Sequence, residues 1–155
     1  MSRAFVKESE DAGSELDLPE RSVSPHRNLV TADGLEGIEA EVRRLEEELA
    51  AARGADDKPV VARCQRDLRY WTQRRATAEV VPPPTRHDKV RFGSTVTIRL
   101  DDGGERTLRI VGEDQADPAA GLVAYMAPVA AQMIGAAVGE RVEIGGAEGA
   151  IVAIR

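Results

Sequence analysis

A chain of 155 residues with a net charge of −6 and 3% aromatic residues has room for one ordinary domain and an appendage, with a core resting on Val, Ile, Leu and Ala. The charge is spread evenly, about −2 over each of residues 1–30, 31–80 and 81–155, which excludes nucleic-acid binding by a basic surface alone. The single cysteine excludes an internal disulfide, and with no membrane-spanning apolar run and no signal-peptide pattern a reducing, cytoplasmic setting is expected.

Residues 1–30 are polar and aperiodic, with six acids and with Pro19 and Pro25, and read as a flexible tail. Phe5-Val6 and Leu16–Leu18 could dock on a partner, but a solvated tail is the expectation.

Residues 31–80 predict a helical hairpin. Leu35, Ile38, Val42, Leu45, Leu49 and Ala52 recur at alternating steps of three and four, and after Gly54–Pro59 the spacing resumes at Val61, Cys64, Leu68, Trp71, Arg75 and Ala78. This is the seam of a coiled coil, and so short a turn returns the chain antiparallel. The expected pairs are Leu49 with Cys64, Leu45 with Leu68, Val42 with Trp71, and Ile38 with Arg75. Thr31 or Asp33 caps the first helix, the latter with Glu36 as a capping box. Gly54 ends it in the left-handed region, and Asp56 or Asp57 caps the second. The arms differ in sign: residues 34–53 carry six Glu against three Arg, whereas 58–78 carry Lys58 and five Arg against Asp67 alone. Most of that charge is expected to pair between the helices. Arg69, Arg74 and Arg75, at the base, are candidates for a further role.

Residues 81–85, Val-Pro-Pro-Pro-Thr, predict a stiff hinge. Residues 86–155 change character. Period-two alternation over 94–100, the turn Asp101–Gly104, and further strands at 105–112, 121–126, 140–144 and 149–154 predict a small antiparallel sheet. Pro128 opens one short helix, Val129–Ile134, packed on a face of that sheet. The fold class is α+β.

Intrinsic catalytic chemistry is scarce. His26 and His87 lie in the tail and hinge, Cys64 is a small seam residue, and no metal-ligand spacing or phosphate-binding glycine loop is present. Glu113, Asp114 and Asp117 read as an acidic turn or a partner-binding patch. Asp56 and Asp57 at the tip could contribute carboxylates to a hard cation only if another protein supplied the remaining ligands.

The segments FGSTVTIRL (92–100) and LRIVGEDQADPAAGLVAYMAPVAAQMIGAAVGERVEI (108–144), with the closing strand, resemble the C-terminal domain of the bacterial GreA/GreB-type transcription elongation factors. The opening MSRAFVKE, NLVTADGL at 28–35 and AEVV at 78–81 resemble family members too. The resemblance implies a coiled coil on an FK506-binding-protein-like head, and RNA polymerase as partner. In the family the head sits at the rim of the secondary channel, the coiled coil enters it, and tip acids help hold a Mg²⁺ of the polymerase while backtracked RNA is cleaved. Carried over, the polymerase-facing candidates are Glu113, Asp114, Gln115, Asp117, Ala127, Pro128 and Met133, with Asp56 and Asp57 the candidate metal-sharing acids. No cofactor of its own, contact with nucleic acid only through the polymerase, no membrane, and a monomer are implied.

The chain departs from the family pattern at the tip. Gly-Ala-Asp-Asp-Lys-Pro lacks the family's separated aspartate and glutamate, and each arm is shorter by several turns. A loss of about ten residues per arm withdraws the tip by about 15 Å, whereas ligation needs about 2–2.6 Å. Gln115 stands where an acid is usual, and Ala127 where a serine is common. The expectation is a polymerase-binding regulator, not itself an enzyme, with little or no stimulation of transcript cleavage. A genuine cleavage factor, or an adaptor for another target, are the alternatives.

Overall fold

Both helices form where the periodicity places them, and their ends show why. The computed structural model describes residues 18–155, and the expectation of a flexible segment over residues 1–17 lies outside the described residues. Helix α1 spans Ala32–Gly54, with the Thr31 hydroxyl accepting from the Gly34 amide at 3.0 Å. Thr31 alone is therefore the cap. Asp33 lies inside the first turn, and the Asp33–Glu36 capping box does not form. At the far end Gly54 remains helical and Asp56 takes the left-handed conformation, with φ of 52°. The three-residue link Ala55–Asp57 makes its reversal at Asp56, later than Gly54. Helix α2 spans Lys58–Thr77, capped by Asp57, whose Oδ1 accepts from the Val60 amide at 3.3 Å.

The seam buries Ile38, Val42, Leu45, Leu49 and Ala52 on α1, and Cys64 on α2. Val60, Val61, Leu68 and Trp71 pack against Leu45, Leu49 and Cys64 while staying partly open to solvent, as a two-stranded rod requires. The sequence stripe fails at its base. Leu35 is half-buried and Gly34 is buried in its place, while Arg75 is exposed and Arg74 is 1% exposed. The last step on α2 is three residues rather than four, because the partner there is the head and not α1.

Two short strands close the base of the rod. β1 (Leu29–Val30) pairs in parallel with β2 (Glu79–Val80), through Glu79 N to Asn28 O at 2.8 Å and Val81 N to Val30 O at 2.9 Å. Gly112 lets this pair lie against the head: a Cβ there would sit 2.3 Å from the Leu29 carbonyl oxygen.

The head is a five-stranded sheet in the order β5-β4-β3-β7-β6, built from β3 (Thr95–Leu100), β4 (Glu105–Val111), β5 (Leu122–Ala124), β6 (Arg141–Ile144) and β7 (Ala147–Ile154). Alternation turns Val96, Ile98 and Leu100 inward. One expectation is corrected: β5 pairs with β4 in parallel, so the sheet is mixed. The connection from β4 passes through two single-turn helices, at Glu113–Gln115 and Pro118–Ala120, which carry the chain back to run alongside β4. Helix α3 (Pro128–Met133) closes the core with Ala130 and Met133, both at 0% exposure.

The tail expectation is also corrected over its described part. Residues 18–28 form a strap against α2 and the head, held by polar contacts: Glu20 with Arg69, Arg27 with Glu79, and Ser24 with Glu113. A low content of apolar residues gave no sign of it.

Candidate functional site

Acidic side chains gather at two places, the rod tip and the rod–head junction, and their surroundings are opposite. At the tip Asp56 and Asp57 are exposed. Asp57 spends one carboxylate oxygen on the Val60 amide, which leaves Asp56 as the acid without a capping duty. Beside it Arg53, Lys58, Val61, Ala62 and Gln65 border a shallow recess of about 370 Å³. Two carboxylates, one of them capping a helix, supply too few oxygens for a hard cation. The tip does not by itself fit Mg²⁺. Among the described residues no cluster of three or more His, Cys, Asp or Glu side chains could hold a metal.

At the junction every acid is engaged. Arg74 Nε donates to Asp114 Oδ2 at 2.5 Å, and its Nη2 reaches Glu113 Oε2 at 3.3 Å. The side chain of Arg74 is 2% exposed and that of Asp114 9%. Tyr70 Oη donates to Asp114 Oδ1 at 2.6 Å, so one carboxylate takes both. Burial, and then this bond to a carboxylate, push the Tyr70 hydroxyl up to about 12. Ser24 Oγ donates to Glu113 Oε1 at 2.8 Å. On the α1 side Arg109 grips both oxygens of Asp33 at 2.8 and 3.1 Å, and Gln115 Nε2 donates to Asp33 at 2.7 Å. The Arg109 bond, set against partial burial, holds the Asp33 carboxyl well below the usual carboxylate range. Thr31 completes the arrangement, donating to Gln115 Oε1 at 2.6 Å while accepting from Gly34.

The residues carried over from the resemblance therefore divide. Glu113, Asp114 and Gln115 face the base of the rod and hold it. Asp117 is exposed, and its backbone pairs with Leu122. Pro128 is exposed at the start of α3, with Ala127 half-buried before it. Met133 is wholly inside the head core and has no surface to offer. Of the three basal arginines, Arg74 enters the junction, Arg69 takes Glu20 of the strap at 2.5 Å, and Arg75 is exposed. Sequence reasoning missed Tyr70 and Arg109, and read Asp33 only as a helix cap. The available signal was an arginine-rich helix end facing the acid run Glu113-Asp114.

Cys64 lies wholly within the seam, and burial pushes its thiol up, so the thiolate needed for reactivity is disfavoured.

Residues 85–154 match the family model described as transcription elongation factor, GreA/GreB, C-term. Over these residues, somewhat under half of the chain, the head is similar to a GreA/GreB C-terminal domain. Transcription elongation factor GreB of Neisseria meningitidis serogroup B (strain ATCC BAA-335 / MC58) is 40% identical over 86 residues, covering 54% of this chain and 53% of that protein. Transcription elongation factor GreA of Helicobacter pylori (strain G27) is 42% identical over 71 residues, covering 44% of this chain and 43% of that protein. The chain is thus matched over about half the length of these curated relatives. Among solved structures, the GreA factor homolog 1 (Gfh1) protein of Thermus thermophilus aligns over 84% of this chain and 99% of its own, at 16% identity and a TM-score of 0.42.

The junction is where this GreA/GreB-like head grips an α-helical rod through Asp33, Glu113 and Asp114. The tip acids are left facing solvent at the other end.

Proposed function

We propose that the protein binds RNA polymerase as a GreA/GreB-type regulator of transcript elongation, acting at the secondary channel with little or no stimulation of RNA cleavage. The observation that carries this reading is a family head joined to a short rod. Helix α1 has 23 residues and α2 has 20, or roughly 34 Å and 30 Å of helix at about 1.5 Å per residue. Part of that length is spent against the head, where Asp33 and Arg74 sit in the junction. A tip with a capping Asp57 and one unengaged Asp56 is poorly suited to completing a polymerase Mg²⁺ site. The regulator then acts by occupancy, needing no cofactor of its own, and touches nucleic acid only through the polymerase. Such a partner implies a cytoplasmic protein; no helix of the described residues is long and apolar enough to cross a membrane.

Pull-down with core RNA polymerase tests the partner. Retention of polymerase on the immobilised protein, at a physiological salt concentration, is the expected result. Its absence removes the proposal and leaves an adaptor for another target.

A further inference from the structure

The strap over residues 18–28 is anchored unevenly. At its head end Asn28 is buried and donates to the Arg74 carbonyl at 2.7 Å, and the Tyr125 hydroxyl donates to the Arg27 carbonyl at 2.7 Å. At its other end the ties are surface charges. The Glu20 and Arg69 side chains are 62% and 56% exposed, and Arg21 stands 3.7 Å from Asp67. An exposed pair such as Glu20–Arg69 contributes about 0–1 kcal/mol, and Arg21 at 3.7 Å is too far from Asp67 for a hydrogen bond. Residues 18–22 can therefore lift from α2 while 24–28 stay in place.

What they cover has a definite chemistry. The Arg21 guanidinium lies 4.0 Å from the Tyr70 ring centroid and 5.6 Å from that of Trp71. The two rings meet edge to face at 5.2 Å and 86°. Asp67 flanks them with a side chain only 14% exposed, its Oδ1 already accepting from Arg66 Nε at 2.9 Å. An aromatic face beside a partly desolvated carboxylate suits a guanidinium, which stacks its plane on the ring and turns N–H groups to the acid; an ammonium does only part of this. Next to the platform on α2, Leu68, Arg69, Thr72, Gln73 and Ala76 line an apolar recess of about 410 Å³, and Arg69 at its edge donates to Glu20 of the strap.

We propose that Tyr70, Trp71 and Asp67 form an arginine-reading platform, occupied in cis by Arg21, and that a partner protein presenting an arginine in an extended segment takes it when the strap lifts. The strap is then a built-in competitor. Tethered a few residues from its site, it acts at an effective concentration on the order of millimolar, so only a partner with contacts beyond the arginine displaces it. This mechanism does not depend on the polymerase reading.

The test uses the full chain and a fluorescein-labelled peptide copying residues 18–27, followed by anisotropy. The Glu20→Ala/Arg21→Ala variant, altered only at exposed positions, should bind the peptide at least about tenfold more tightly than the wild type, because the competitor is gone. Glu20→Ala alone, which keeps Arg21, should gain less. A peptide carrying Arg21→Lys should bind the double variant severalfold more weakly, and adding Asp67→Asn to the protein should erase that preference. If the double variant binds the peptide no better than the wild type, or binds the lysine peptide equally well, the platform is a structural clasp and the proposal is overturned.

Discussion

The two ends of the rod make opposite use of the same chemical group. At the base, Asp33, Glu113 and Asp114 are each taken by an arginine, with Tyr70, Ser24 and Gln115 adding hydrogen bonds. At the tip, Asp56 and Asp57 face water, and only Asp57 has a local duty, as a helix cap. Asp114, held in a desolvated pair with Arg74, is committed to structure, because releasing its partner leaves a buried charge uncompensated. An exposed carboxylate remains available. The acid run after β4, which reads in the sequence as a turn or a partner-binding patch, supplies Glu113 and Asp114 to the socket at the base of the rod.

The sharpest way to break this contrast is at Arg74. Arg74→Ala strands Asp114 and should cost about 3–5 kcal/mol, read as a lower urea midpoint. A cost below about 1 kcal/mol would show that the junction is solvated and that base and tip do not differ in kind.

The rod and the strands of the head were legible because hydrophobic period is a local signal. Leu45, Leu49 and Cys64 occupy the seam as the spacing requires, and Val96, Ile98 and Leu100 alternate inward. The socket was not legible, because Arg74 and Asp114 are 40 residues apart and each looks like an ordinary solvated charge on its own. Nor does local patterning say that β5 runs parallel to β4, since strand direction follows from how the connection returns. The strap was misread for a related reason. Its attachments at Glu20, Ser24 and Arg27 are polar, and polar composition without period looks the same whether or not it has partners.

Within the rod, Leu45→Ala should cost about 2–4 kcal/mol, since Leu45 is fully buried at the middle of the seam. Trp71 fluorescence and helical circular dichroism should be lost together in urea. Separate transitions would mean that the rod melts independently of its socket.

A smaller effect is expected at Asp33. Its folded carboxyl titrates below its ordinary value of 3.8. The Arg109 pair thus contributes stability that is fully present above that value and is lost as pH falls below it toward the folded one. The side chain is 53% exposed, so solvent screening keeps the contribution small, below about 1 kcal/mol. Asp33→Asn should lower stability at neutral pH by less than about 1 kcal/mol and flatten the acid limb of the stability–pH profile below about pH 4. An unaltered acid limb would place the titration elsewhere.

The smallest structural effect belongs to the tip. Asp56→Asn/Asp57→Asn retains a good helix cap and should change stability by less than about 1 kcal/mol, which makes it a clean probe of function. The decisive measurement is cleavage of RNA in a stalled, backtracked polymerase complex, comparing wild type with this double variant over a range of Mg²⁺ concentrations. A rod too short to reach predicts that both bind polymerase equally, that both alter elongation equally, and that neither stimulates cleavage appreciably. Strong cleavage with the wild type that disappears in the variant, while binding persists, would contradict that account and make the tip acids working ligands of the polymerase metal.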